Sequence, residues 1–294
     1  MPTMKVAIFG KQCHPQDYPI IQSVFDALAR QQAEIGVDEA FAKELYHCNP
    51  PLRLPHVSHI VHNNFSADMV LSIGGDGTFL HTAARIGDKC IPILGINTGR
   101  LGFLTDLSGN DIDTGIQEIF KGHYRIENRS LLHVETQASH PLSWPYALNE
   151  IAILKQDSAS MISIRMYIDG EFFNTYQADG LVIATPTGST AYALSAGGPI
   201  LMPQAANWVI VPVAPHSFTV RPLVVSDDVT ISLQVSSRTD NFLLSCDGRS
   251  VLLDTSSTVT LQKAPFGIKV VKGFNHSFSE TLRTKLMWGA DKRE

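Results

Sequence analysis

Leu71-Ser72-Ile73-Gly74-Gly75-Asp76-Gly77-Thr78-Phe79-Leu80 runs apolar residues straight into three glycines, an acid and a hydroxyl, and helical spacing follows over 79–86. The pattern reads as a strand, a tight turn and a helix. Glycine has no Cβ, so such a turn brings its backbone N–H groups close to a ligand. The helix start behind it offers N–H groups without intrahelical partners and a partial positive charge, which together suit phosphate. Gly74, Gly75, Gly77 and Thr78 are the expected cradle. Asp76 is the exception, because a carboxylate repels phosphate unless it serves as a base or holds a cation. Phosphoryl transfer is the chemistry that asks for both; a plain strand–turn–helix corner is the alternative. Two better-known phosphate loops do not match. No G-x-x-x-x-G-K-[ST] occurs, and Leu80 stands where G-x-G-x-x-G needs its third glycine.

With 294 residues, 44% of them hydrophobic, the chain has room for one large or two ordinary domains. A net charge of −5 gives no basic footprint, so nucleic acid is not an expected partner and a charged cofactor must be met by local groups. Cys13, Cys48, Cys90 and Cys246 are far apart in sequence and form no C-x-x-C pair, a pattern of reduced thiols. Strand-like Met4-Lys5-Val6-Ala7-Ile8-Phe9 comes almost at once, no basic-then-apolar signal precedes it, and no apolar run spans a bilayer. A soluble, cytoplasmic protein with no membrane partner is the expectation.

Two textures divide the chain. Up to about Tyr124, short apolar runs at Lys5–Gly10, 67–73 and 90–96 alternate with helical spacing, as in Ile20, Ile21, Val24, Phe25 and Leu28. Nearly continuous apolar runs are expected of strands buried on both faces of a parallel sheet, with 79–86 and Ile112–Phe120 as covering helices. The polar stretch 48–66 reads as a surface connection. From about Arg125 strands and hairpins take over. Asp169-Gly170 and Asp247-Gly248 sit between apolar runs, a short-range hairpin signal. Val229–Leu233 and Val259–Leu261 alternate with period two, so each buries one face. The expected fold is an α/β N-terminal domain with a parallel sheet, 1–124, completed by helical 275–294, and a β-rich, sandwich-like C-terminal domain, 125–274.

A second chemical segment is Asp179-Gly180-Leu181-Val182-Ile183-Ala184-Thr185-Pro186-Thr187-Gly188-Ser189-Thr190-Ala191-Tyr192-Ala193-Leu194-Ser195-Ala196-Gly197-Gly198-Pro199. A buried-strand run leads into a loop whose hydroxyls and N–H groups satisfy a ribose, a purine edge or a phosphate without bringing charge. It is no G-x-S-x-G elbow, and a helix-capping turn is its bland alternative. Asn149-Glu150 places an amide and a carboxylate between apolar stretches, so at least one must face solvent, a partner or a ligand. Arg100, in Asn97-Thr98-Gly99-Arg100-Leu101-Gly102-Phe103-Leu104, follows an expected parallel strand, where α/β sheets place ligands. Phe103 reads equally as core or as facing a cofactor ring. His56, His59 and His62 recur every third residue, but no carboxylate or cysteine completes a metal set, so no metal-ligating residue is assigned.

Taken together, Gly74 to Thr78, Asn97 to Leu104, Asn149-Glu150, 179–199 and, more weakly, Cys246-Asp247-Gly248-Arg249 resemble the NAD kinases of bacterial type, in the family's order and over nearly the whole chain. The glycine–aspartate motif is shared with diacylglycerol- and sphingosine-type lipid kinases and, more loosely, phosphofructokinases; the segment after Asp179 is much more specific. The resemblance implies transfer of the ATP γ-phosphoryl group to the 2′-hydroxyl of the NAD adenosine ribose, giving NADP, across a cleft between the two domains. By the same analogy Asp76 is the general base, and Gly77, Asn149, Glu150, Asp179, Thr187, Thr190, Ala191, Tyr192, Ala193, Leu194, Ser195 and Ala214 line the dinucleotide site with Phe103. Gln177 and Arg249 match positions where the family varies, and Ser160 stands near one often held by a basic or imidazole side chain. A divalent metal, Mg²⁺, is expected to bridge the ATP oxygens. The family also implies a homodimer or homotetramer with dinucleotide sites near the subunit contacts. A lipid kinase would share the Asp76 loop but need an apolar channel; a non-catalytic dinucleotide sensor would need the binding loops but no acid.

Overall fold

The computed structural model describes residues 3–55, 57, 59–62, 64–99, 102–136, 142–156, 160–273 and 277–287. They divide into two units, 1–128 with 268–294 and 129–267. The first unit begins with β1 (Lys5–Gly10), α1 (Tyr18–Arg30), β2 (Glu34–Asp38), α2 (Glu39–Tyr46), β3 (His59–Val61) and β4 (Met69–Ile73). It goes on with α3 (Asp76–Ile86), β5 (Ile93–Asn97), β6 (Leu107–Ser108), α4 (Ile112–Phe120) and β7 (Tyr124–Arg129), whose last residue opens the second unit. The second unit holds β8 (Leu132–Thr136), β9 (Tyr146–Ala147), β10 (Glu150–Leu154), β11 (Ile162–Ile168), β12 (Glu171–Ala178), β13 (Gly180–Ala184) and the short α5 (Tyr192–Ser195). After these come β14 (Asn207–Val213), β15 (Leu223–Ser226), β16 (Ile231–Ser236), β17 (Asn241–Cys246), β18 (Arg249–Asp254) and β19 (Val259–Lys263). β20 (Ile268–Gly273) and α6 (Phe278–Leu286) then return the chain to the first unit.

The first sheet has the order β3-β2-β1-β4-β5-β20-β7, with β6 beside β5. Its β1, β2, β4 and β5 pair in parallel, and β4 and β5 are buried at every position, which is why their sequences lack polar alternation. Helix α1 buries Ile21, Val24, Phe25 and Leu28 in the core that β1 and β4 share. The return to this unit, expected at 275, comes at Ile268: β20 is already part of the sheet, its Val270 pairing in parallel with Ile93.

The second unit stacks two six-stranded sheets, β15-β14-β13-β10-β17-β18 and β12-β11-β16-β19-β8-β9, whose pairings are antiparallel. Alternate residues face inward from both: Ile151, Ile153, Leu181, Ile183 and Phe242 from one, Ile164, Met166, Leu233 and Leu261 from the other. The opposite face of the first of these sheets is not polar. Ala152, Val182, Val209 and Val211 form a small cluster there with Ala193 of α5. Both Asp-Gly pairs turn hairpins with two positive φ angles, 51° and 84° at Asp169-Gly170 and 48° and 78° at Asp247-Gly248. Positive φ at both central residues is the twist that two-residue hairpins demand.

Two expectations change. The helix read as 79–86 starts at Asp76, because Gly75 caps it and accepts the N–H groups of Thr78 and Phe79. The connection 48–66 holds β3, whose short length and polar first residue hide it from pattern reading; it pairs in parallel with β2. Cys13 and Cys48, distant in sequence, lie within hydrogen-bonding reach, and burial together with that neighbour pushes the Cys13 thiol up to about 12. All four cysteines are free thiols. Among the described residues no helix is long and apolar enough to cross a membrane.

Candidate active site

In the first unit everything converges on Asp76. Its position in the first turn of α3 follows from Gly74 and Gly75: Gly74 has φ +145°, and a Cβ there would collide with the Thr78 hydroxyl. The carboxylate is held from the far side by the loop after β5. Phe103 N–H donates to its Oδ2 at 2.8 Å and Leu104 N–H to its Oδ1 at 3.0 Å. Each carboxylate oxygen accepts more than one hydrogen bond, so both keep lone-pair capacity for a ligand hydroxyl. Gly102 is packed so closely on the carboxylate that no Cβ fits, and its own N–H is held by Thr105 Oγ1 at 3.1 Å. Arg100 and Leu101, from the same motif, lie outside the described residues, as does His56.

Two lysines that the sequence reading passed over surround this loop. Lys285 of α6 sets its ammonium 4.3 Å from the centre of the Phe103 ring. Burial pulls the Lys285 ammonium below its ordinary pKa, Asp76 pulls it back up, and Lys272 adds to the lowering. Lys272, at the end of β20, is fully buried beside Asp106 at 3.4 Å and reaches the Leu104 carbonyl at 3.5 Å. The available signal was a pair of basic residues, Lys272 and Lys285, in otherwise strand-like and helical text, and nothing local says where they point. Beside the glycine loop lies a cavity of about 170 Å³ lined by Lys11, Gln12, Gly74, Gly75, Thr78 and Thr98, among others. A larger cavity of about 500 Å³ in this unit is rimmed by Asp106, Asp111, Glu118 and Glu280.

In the second unit the predicted residues form two groups. The first gathers Asn149, Glu150, Thr187 and Tyr192. Asn149 donates its N–H to Asp247 and accepts that of Thr185 at 2.9 Å. The loop hydroxyls are turned onto the loop itself: Ser189 Oγ donates to the Pro186 carbonyl and Thr190 Oγ1 to that of Thr187. Thr187 is buried, with Arg129 Nη1 3.4 Å from its hydroxyl. Tyr192 and Ser195 are exposed, Ala191 and Leu194 half-buried, and the Ala193 side chain lies wholly in the cluster under α5. The Glu150 Oε2 is shielded from water and has no partner. Burial first, and the Asp247 charge second, push the Glu150 carboxyl up to about 7, while the Tyr192 N–H donated to it opposes them.

The second group is Gln177, Asp179 and Ala214. Gln177 accepts the N–H of His216, Asp179 donates its own to Val213, and both contacts are 2.9 Å. Asp179 also pairs with Lys155 at 2.7 Å. Ala214 is exposed at φ +44°, a conformation that costs a non-glycine residue energy and recurs at functional loops. Strand β13 separates the groups, and its five residues span roughly 17 Å at a strand's rise. Arg249, next to Asp247 at 4.0 Å, and Ser160 complete the set. Arg249 has its guanidinium on the carbonyls of Trp144 (2.8 Å) and Tyr146 (2.7 Å), and Ser160 is half-buried ahead of β11.

Among the described residues no three His, Cys, Asp or Glu side chains gather to hold a metal. The glycine loop offers one carboxylate, which suits an Mg²⁺ bound mainly through nucleotide phosphates better than a resident ion.

Comparison with known proteins matches both halves. Residues 6–124 match the ATP-NAD kinase N-terminal domain and residues 148–273 the ATP-NAD kinase C-terminal domain. An NAD kinase of Bacteroides fragilis is 52% identical over 290 residues, covering 99% of this chain and 100% of that protein. One from Porphyromonas gingivalis is 44% identical over 298 residues, covering 98% and 99%. Among solved structures, yeast NADH kinase complexed with NADH superposes with a TM-score of 0.86 at 25% identity, covering 100% of this chain and 90% of that one. An NAD kinase from Archaeoglobus fulgidus in complex with ATP gives 0.75 at 28%, covering 97% and 99%.

Proposed function

This chain belongs to the ATP-NAD kinase family, and on that premise we propose how its residues carry the reaction. It is an NAD kinase: the γ-phosphoryl group of ATP moves to the 2′-hydroxyl of the NAD adenosine ribose, giving NADP. The observation that carries the assignment of roles is the Asp76 carboxylate, fixed by two loop N–H groups at the start of α3.

A ribose hydroxyl is a weak nucleophile. Asp76, locked in place but with lone pairs to spare, takes its proton as the oxygen attacks phosphorus. The N–H groups of the glycine loop, Gly75 and Gly77 among them, face the donor phosphates, with Lys11 on the rim of the adjoining cavity. A divalent cation such as Mg²⁺, if carried in by the nucleotide, would add charge neutralisation to what the loop N–H groups provide. In the second unit Asn149, Glu150 and the 185–195 loop take the dinucleotide, and the loop's self-satisfied hydroxyls still offer acceptor lone pairs.

The separation of Gln177, Asp179 and Ala214 from the first group gives a reason for assembly. A second copy can bring its own such group to the dinucleotide, and the edge strand β12 carries exposed Phe172 and Phe173 suited to a subunit contact. We therefore propose a homodimer or homotetramer, and the four free thiols support a cytoplasmic location. No relative named above supports the lipid-kinase or sensor readings. Purified protein with NAD, ATP and Mg²⁺ accumulates NADP phosphorylated on the adenosine ribose; folded protein that yields none with any of several phosphoryl donors overturns the assignment.

A further inference from the structure

We propose that Asp247 is a positioning residue for the dinucleotide site, fixing the Asn149-Glu150 pair through three successive backbone N–H groups. The inference rests on the NAD kinase reading and adds a residue to it. Asp247 Oδ2 accepts the Leu148 N–H at 2.7 Å, and Oδ1 accepts those of Asn149 at 2.8 Å and Glu150 at 3.1 Å. The contact is reciprocal, since Asp247 N–H donates to the Glu150 carbonyl at 3.1 Å. The side chain is only 6% exposed. Three consecutive amides held by one carboxylate restrict the backbone at 148–150, and so set where the Asn149 and Glu150 side chains begin.

Turn formation alone does not explain the residue. Asp247-Gly248 joins β17 to β18 with both φ angles positive, and asparagine serves such a turn as well as aspartate does. Asparagine cannot serve the three amides as well, because one of its two side-chain atoms is a donor. The position therefore uses both carboxylate oxygens as acceptors for the 148–150 segment. Asp247 also acts on Glu150 through space. The groups facing the Glu150 carboxylate are Asp247, the Tyr192 N–H and the Cys246 thiol, with Arg249 4.0 Å from Asp247. The Glu150 Oε2, buried and unpartnered, is the acceptor a ligand hydroxyl or amide would meet. Ionised Glu150 is the better acceptor, so NAD affinity rises as pH passes upward through about 7.

The experiment measures NAD binding and steady-state kinetics of the full-length wild type, Asp247→Asn and Glu150→Gln between pH 5.5 and 8.5. In Asp247→Asn the KM for NAD rises about tenfold or more, with kcat and the KM for ATP within about threefold. The pH at which NAD affinity changes also moves down, since a neutral neighbour eases ionisation of Glu150. In Glu150→Gln that step disappears. An unchanged KM and pH step in Asp247→Asn overturns the proposal, and so does an equal loss in kcat and both KM values. If Asp247→Asn does not fold, the wild type and Glu150→Gln decide: a flat pH profile in the wild type, or one that Glu150→Gln leaves in place, overturns it. Failure of the wild type to bind NAD at all is a different result and removes the NAD kinase reading itself.

Discussion

Gly102 lies against the Asp76 carboxylate with no room for a side-chain carbon between them. The loop after β5 therefore grips the acid with backbone alone, two N–H groups at hydrogen-bond distance and a glycine where any other residue would push it away. Gly102→Ala must shift either the loop or Asp76, at a cost on the order of 1–3 kcal/mol. We expect turnover to fall about tenfold to a hundredfold, with the melting temperature lowered and the KM for NAD within several-fold. Kinetics and thermal melts on the same preparation check this.

Asp76→Asn is expected to lower turnover by about two to four orders of magnitude while NAD binds within several-fold of normal. The two amides that face Asp76 add a second effect: one of them meets an NH₂ group in the variant, a mismatch costing about 1–3 kcal/mol. A variant with near-normal turnover shows that Asp76 is not the base.

The Glu150 carboxyl sets a pH dependence of stability. Its pKa in the folded chain, about 7, lies above the ordinary glutamate value of 4.5, so the folded state holds the proton more tightly. The stabilisation is complete below the unfolded value and is lost as pH rises through the folded one, by on the order of a few kcal/mol. Thermal melts without ligand are expected to fall between pH 5 and 8, and Glu150→Gln to flatten that part of the curve.

Arg249→Ala removes the donors that tie the carbonyls of Trp144 and Tyr146. We expect a loss of stability of about 1–3 kcal/mol, with the KM for NAD within threefold. A KM raised tenfold at unchanged stability would instead mark Arg249 as a direct cofactor contact. Denaturant titration beside the NAD saturation curve separates the two.

Lys285→Met takes a cation from beside Asp76 and leaves the Phe103 ring covered by a side chain of similar length. The KM for ATP is expected to rise about tenfold, more than the KM for NAD, and Lys285→Arg to restore part of it. Equal values for all three proteins would show that Lys285 does not act on the nucleotide.

Much of the architecture was legible because its causes are local. The glycine loop, the alternating strands and the Asp-Gly hairpins write their geometry into neighbouring residues, and the structure keeps all three. What was hidden is non-local. That Asp247 serves amides at 148–150, that Gly102 must be bare because of Asp76, and that Cys13 meets Cys48 depend on chain segments meeting from far apart. The strand at His59–Val61 escaped for another reason: three residues are too few to show a period.

The return of the chain through β20 and α6 has a consequence for the order of biosynthesis. Lys272 and Lys285, which brace the loop around Asp76, emerge from the ribosome only after the whole of the second unit. A nascent chain that has already made its glycine loop still lacks the buried cation beside Asp106 and the one over Phe103. The first unit is thus the first to be started and the last to be finished, and truncated translation products that end before residue 268 are left with a phosphate loop whose neighbours Asp106 and Phe103 lack their lysines.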